Sequence, residues 1–295
     1  MNRALTLLAA TACAALAVSS ACLAAEGSAL PFRLAKTGAA DQVQLSMEQP
    51  RDGKHSGNWS QGVALADLTG LSAGQLTSRT ATPIRFALVR PAGRFDCSGA
   101  VRSYDGRGTC AFAADAAFSA MLAKRGLGRP SLDQSYKLAM SDFRPEVLDA
   151  LAAAGYPRPS LDQSVKLGIF KIGPAYVRGL ADAGYRLGSV DDLVGFKIHN
   201  VNPELIRTYR QLGYRQLAAD DLMAMSIHGV TPDFIRGFAS LGYRDLPADK
   251  LVQLRIFNVT PDDVRALQAQ GIALPSADQL VRLRLAGFGP KRRGQ

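Results

Sequence analysis

Arginine is the residue type whose spacing in this chain could do the most chemistry. Arg178, Arg207, Arg236 and Arg265 fall 29 residues apart, and Arg186, Arg215 and Arg244 keep the same step, each directly after Tyr185, Tyr214 or Tyr243. A guanidinium carries five N–H donors in a fixed plane and stays charged at any physiological pH, so rows of it suit recognition of carboxylates. Tyrosine beside arginine is also the composition of binding hot spots. These arginines and tyrosines are the candidate partner-binding residues, and an acidic protein surface is the expected counterpart. The competing reading is a solvated face, or arginines paired with repeated aspartates.

Little else points to chemistry. The three histidines are His55, His199 and His228, and the last two share one position of the 29-residue register with Phe170 and Phe257. A position that accepts phenylalanine is expected to pack or stack rather than hold a metal. The sequence has no His-Glu-x-x-His, no Walker loop and no Cys-x-x-Cys, whose spacings place zinc ligands, phosphate-binding amides or a redox pair. The expectation is a non-enzymatic protein with no catalytic residue, no cofactor and no metal.

The elements that must position the arginines repeat with them. Gly126, Gly155, Gly184, Gly213, Gly242 and Gly271 are 29 residues apart, and so are Pro145, Pro174, Pro203, Pro232, Pro261 and Pro290. Asp133, Asp162, Asp191, Asp220, Asp249 and Asp278 hold the same step. Such periods mark stacked supersecondary units. Within a unit, Ser131, Ser160 and Ser276 each stand three residues before a glutamine, which is a capping box opening a first helix. The repeated aspartate then lies in the first turn, where the helix dipole favours it. Leu193, Phe196 and Ile198, with Leu222, Met225 and Ile227 and with Leu251, Leu254 and Ile256, are read as the buried stripe of that helix. Asn200, Gly229, Asn258 and Gly287 tolerate positive φ and stop it. Asn202, Thr231 and Thr260 then cap a second helix with proline at its first position. Its buried face is Ile206, Tyr209 and Leu212, or Ile235, Phe238 and Leu241. Helices of about 10 residues are marginal alone, so stacking must hold them.

Before the repeats the periodicity changes to two. Val43, Leu45 and Met47 alternate with polar residues, as do Ile84, Phe86 and Leu88, which indicates half-buried strands. Arg51 to Lys54 supplies a turn, and Asp105-Gly106 is read as a hairpin turn. The expected module is an antiparallel sheet of four or five strands over 42–115. Residues 26–41 are taken as a linker, 116–290 as the helical array and 291–295 as a basic tail. The fold class is α+β: a small β module followed by an α-solenoid-like array of six 29-residue helix-turn-helix repeats.

The first 25 residues have Asn2 and Arg3, an apolar stretch from Ala4 to Val18, then small residues, which is the pattern of a cleaved secretory signal. Cleavage is preferred over lipidation at Cys22, because Ser19 stands where a lipoprotein signal wants an aliphatic residue. Cys13 and Cys22 belong to that leader. Cys97 and Cys110 remain, and in an oxidising compartment they are expected to form one disulfide. The mature chain is expected to have no transmembrane span. Net charge is +10 over 295 residues. For an exported chain this suits an anionic envelope surface or an acidic protein.

The phrases from Asp220 to Arg236 and from Leu241 to Asp249 resemble repeats appended to BlaR-type membrane metallopeptidases and to related exported proteins of unknown function. The resemblance covers about 126–290, and the segment around Trp59, Phe86 to Arg90, Phe95 and Gly106 to Phe112 is similar to the β module preceding such repeats. The zinc motif and membrane helices of the peptidases are missing here. The resemblance therefore implies a role in envelope sensing or interaction rather than proteolysis. Two other readings stand beside an envelope or periplasmic scaffold. One is a glycan- or peptidoglycan-binding module, or an enzyme, with its site near Trp59. The other is a nucleic-acid binder, suggested by helix-hairpin-helix-like loops at Lys171-Ile-Gly173-Pro174 and Gly287-Phe-Gly289-Pro290. Export and the middle repeats, which lack the second glycine, argue against nucleic acid.

Overall fold

A computed structural model describes residues 29–48 and 58–287. The expected leader, the turn expected at Arg51 to Lys54, His55, Pro290 and the basic tail lie outside the described residues.

Alternation of apolar and polar side chains builds the first part. Strands β1 (Leu30–Lys36), β2 (Gln42–Glu48), β3 (Asn58–Ala64), β4 (Leu68–Thr69), β5 (Thr82–Arg90), β6 (Gly93–Arg102) and β7 (Asp105–Ala114) form one sheet in the order β3-β2-β1-β7-β6-β5-β4. Every pairing is antiparallel. Val43, Leu45 and Met47 are buried, as are Ile84, Phe86 and Leu88. A short helix, α1 (Ala73–Thr77), opens on a Ser72–Gln75 capping box. Cys97 and Cys110 stand directly opposite in the β6–β7 ladder and are joined by a disulfide. Closing a loop of that length restricts the unfolded chain by roughly 3 kcal/mol.

Two expectations are corrected here. The span taken as a linker contains β1, whose Leu30, Phe32 and Leu34 are buried and which pairs with β2 on one side and β7 on the other. Without it the two meanders of the sheet would each keep an open edge, so the β module starts by Leu30 and has seven strands. The hairpin turn sits at Ser103-Tyr104, both at positive φ, while Asp105 already pairs with Arg102. Gly106 lies under Leu34 instead, where a Cβ would come within 3.0 Å of that side chain.

A long, repeat-like array of helices follows. Helix α2 (Ala116–Lys124) leads from the sheet into α3 (Leu132–Met140) and α4 (Val147–Ala153). Then come α5 (Leu161–Ile169), α6 (Pro174–Asp182), α7 (Val190–Ile198), α8 (Pro203–Gln211) and α9 (Ala219–Ile227). The last are α10 (Pro232–Ala239), α11 (Ala248–Ile256), α12 (Pro261–Ala269) and α13 (Ala277–Leu285). Neighbours of like position pack together: α3 on α5, α5 on α7, α9 on α11 and α11 on α13, and likewise α4 on α6, α6 on α8 and α10 on α12.

Local chemistry sets the helix ends. Ser131, Ser160 and Ser276 form capping boxes with Gln134, Gln163 and Gln279. Asn202, Thr231 and Thr260 cap helices that begin with proline. Asn200, Gly229 and Asn258 all have positive φ, and so do the six glycines from Gly126 to Gly271. After each stop the chain closes a six-to-one backbone bond, such as Val201 N–H to the Phe196 carbonyl at 2.8 Å, which satisfies carbonyls the helix leaves open.

The sheet and the array share one core. Tyr136 of α3 stands edge-on to Phe95 and Phe112, with ring centroids 5.7 Å away in each case. Burial pushes its hydroxyl up to about 12. At the rim of this contact Arg90 bridges Asp67 at 2.9 Å and Asp142 at 3.4 Å. Among the described residues no helix is long and apolar enough to cross a membrane.

Candidate functional site

The tyrosines and arginines singled out by spacing separate into two jobs. Tyr185 and Tyr214 donate their hydroxyls to the carbonyls of Leu217 and Leu246, at 2.8 and 2.7 Å, and Tyr243 donates to the Pro275 carbonyl at 2.6 Å. Each bond reaches 32 residues ahead, from the end of one second helix to the turn that opens the next first helix but one along the chain. Tyr156 makes the related contact in reverse, accepting the Leu187 N–H at 3.2 Å. Burial raises all of these phenols, Tyr214 to about 12. These side chains therefore act as ties within the array, with their polar ends engaged by the chain itself.

A second set of tyrosines does similar work deeper in the stack. Tyr176 donates to the Val201 carbonyl at 2.6 Å and Tyr209 to the Val230 carbonyl at 2.5 Å. The two donors occupy different turns of their helices, but the two acceptors are 29 residues apart. Both carbonyls lie between helices, where an unmatched acceptor would cost about 1–3 kcal/mol.

The arginines remain at the surface. Arg207, Arg236 and Arg265 are more than half exposed, and each pairs with an acid three residues earlier on its own helix: Glu204, Asp233 and Asp262. The partner is thus the acid that follows the helix-opening proline, not the repeated aspartate that spacing suggested. Exposed pairs of this kind contribute about 0.3–0.5 kcal/mol and leave most guanidinium donors open. Arg178 is exposed and, among the described residues, makes no ion pair; its place in the preceding unit is taken by Asp149, which binds Arg125 at 2.7 Å. Arg186, Arg215 and Arg244 are exposed and make no side-chain bond to any described residue. Each follows a tyrosine whose ring is pinned by its hydroxyl, so the row has a rigid base.

The repeated aspartates also join neighbours. Asp191 accepts from Lys166 and from Gln163, both at 2.8 Å, and the Lys166 bond first and Gln163 second hold its carboxyl below the ordinary range. Asp278 accepts from Lys250 at 2.6 Å, which raises the ammonium of Lys250.

Several polar residues escaped the sequence reading. Ser226 and Arg255 donate to the carbonyls of His199 and His228, and Arg284 donates to the Asn258 carbonyl at 2.9 Å. Those three donors are themselves 29 residues apart. Each closes the C-terminal end of the preceding first helix. The register of polar residues just before Ile227, Ile256 and Leu285 was the available signal.

The isoleucines next to them require a correction. Ile198, Ile227 and Ile256 are not in the buried stripe; they are 48%, 50% and 49% exposed. A helix turns about 100° per residue, so Phe196 and Ile198 point to nearly opposite faces, and Phe196 takes the core.

His199 and His228 are exposed at helix ends. Among the described residues no group of three or more His, Cys, Asp or Glu could hold a metal ion. Trp59 lies on the edge strand β3, opposite Met47 and half-buried. Compared with known proteins, the chain matches no protein-family model and no curated relative.

Proposed function

We propose that this chain is a non-enzymatic, exported protein of the bacterial cell envelope that binds a partner protein, with the helical array as the scaffold. In this reading the helices form six regular 29-residue helix-turn-helix units of an α-solenoid, and the β module anchors its first unit. The observation that carries the proposal is the pair of exposed arginine rows, Arg178 to Arg265 and Arg186 to Arg244, on a framework whose tyrosines are turned inward as ties. Rows of cations on a regular support would present an extended field to an acidic surface. The leader-like first 25 residues and the Cys97–Cys110 disulfide support an oxidising destination outside the cytoplasm.

The test is charge reversal. Arg207→Glu, Arg236→Glu and Arg265→Glu together remove three cations and leave each new glutamate near the acid it once paired with. Helical circular dichroism should be unchanged, with a stability loss of no more than about 1–2 kcal/mol in total. Partner recovery after crosslinking in cells should fall by at least about tenfold, and more steeply at low salt. Recovery at the wild-type level would retire the arginine rows as the binding surface.

A further inference from the structure

The exposed isoleucines form a periodic feature of their own. Ile169, Ile198, Ile227, Ile256 and Leu285 are 29 residues apart and are 43%, 48%, 50%, 49% and 67% exposed. They occupy the last residue of α5, α7, α9, α11 and α13. One turn earlier, Val165, Met223, Val252 and Val281 are only partly buried and widen the same face. Met223 reaches across to the position of Gly195 on α7, where a Cβ would lie 3.4 Å from its Cε. The rungs are therefore carried on helices in contact, and they recur along the array as an exposed apolar row, here called the ridge.

The charged residues that neighbour the rungs in sequence are all basic. No aspartate or glutamate occurs within three residues of any rung. Lys171, Lys197, Arg255 and Arg282 fall within that distance, and so do two cations already engaged by acids, Lys166 with Asp191 and Arg284 with the buried Asp263 at 3.4 Å. The acids of the same helices sit at the opposite end, about 10 Å away along the axis.

We propose that the ridge docks an acidic amphipathic helix of a partner protein. This deepens the interaction reading above and rests on it. Packed helices lie about 8–10 Å apart, which sets the rung spacing. A helix presents the same face every seven residues, or about 10.5 Å, and so can place one apolar side chain against each rung. An extended strand fits less well, because residues three apart span about 10 Å but point to opposite faces. Acidic residues flanking the apolar stripe would meet the cations beside the rungs. A second copy of this chain would bring the same cations to the ridge.

The probe is a fluorescent synthetic 28-residue helix with leucine at every seventh position and glutamate flanks, titrated against the purified full chain. A twin peptide with lysine flanks is the control. The wild-type chain should bind the acidic peptide saturably and at least about tenfold more tightly than its twin. Ile198→Gln, Ile227→Gln and Ile256→Gln together should weaken binding by at least about tenfold, and Ile227→Gln alone by a smaller factor, with circular dichroism unchanged in both. No binding, equal binding of the two peptides, or equal binding by the triple variant would each overturn the proposal. So would loss, in the triple variant, of adsorption to vesicles of anionic phospholipid in place of peptide binding, or of self-association in sedimentation. Should the ridge fail while arginine reversal still abolishes partner recovery, the interaction reading stands and only this surface falls.

Discussion

The sheet and the array solve the same problem at different ranges. In the sheet, β1 near the start of the described chain pairs with β7, more than 70 residues later, and a disulfide fixes β6 to β7. In the array, ties run from one unit to the next: tyrosine to carbonyl, lysine to aspartate, arginine to helix end. A structure joined only to its neighbours has a stability that sums over units. It also leaves the outer faces of its helices free to vary, and there the arginine rows and the apolar ridge lie. Neighbouring tyrosine and arginine divide here: Tyr185, Tyr214 and Tyr243 tie the array together, while Arg186, Arg215 and Arg244 beside them stay exposed, and a binding role for those arginines is the proposal made above.

The hardest blow to the comparison is a buried charge in the array. Ile206 is 2% exposed in α8, and Ile206→Asp should cost more than about 4 kcal/mol. Hydrogen exchange should accelerate first in α6 to α10 and leave β5 to β7 protected. Equal loss of protection in the sheet would mean that the chain unfolds as one block. Removing the disulfide with Cys97→Ala and Cys110→Ala should have the next largest effect, about 3 kcal/mol, confined to the sheet and the α3 contact. Unchanged thermal unfolding of the sheet would contradict it.

Tyr209→Phe keeps the ring but removes the bond to the Val230 carbonyl, and should cost about 1–2 kcal/mol, measured by urea unfolding. The same tie sets an alkaline limit. Burial raises the Tyr209 phenol to about 12, against an unfolded value of about 10. The folded chain therefore holds its proton where the unfolded chain has lost it. This stabilisation is complete below about pH 10 and is lost as pH rises toward 12. Tyrosinate absorbance should appear together with loss of helical circular dichroism. A tyrosinate signal that precedes unfolding would show that the hydroxyls are open to solvent.

The parts that were legible in the sequence are the local ones. Ser131, Thr231 and Asn258 declare helix starts and stops because capping and positive φ depend on a few neighbouring residues. Cys97 and Cys110 are the two cysteines outside the leader-like first 25 residues, and so the natural pair for a disulfide. β1 is hard to see in the sequence because its alternation, Leu30-Pro-Phe32-Arg-Leu34, is short and carries a proline among small and polar neighbours. Ile198 falls outside the buried stripe because it lies about 200° round the helix from Phe196. The tyrosine ties were not legible, since a hydroxyl and a carbonyl 32 residues apart meet only once the stacking geometry exists. The candidate arginines could be named from spacing alone, but their partners on Glu204, Asp233 and Asp262 were needed to weigh them.

The most direct test places a photo-crosslinking residue in the full chain, in living cells, at Arg207, Arg236 or Arg244 of the array and at Arg94 or Arg102 of the sheet. All five side chains are exposed, so each substitution should leave the fold intact. The account predicts one defined protein adduct from the array positions and none from the sheet. An adduct formed only from the sheet positions would contradict it, making the β module the binding part and the array its spacer.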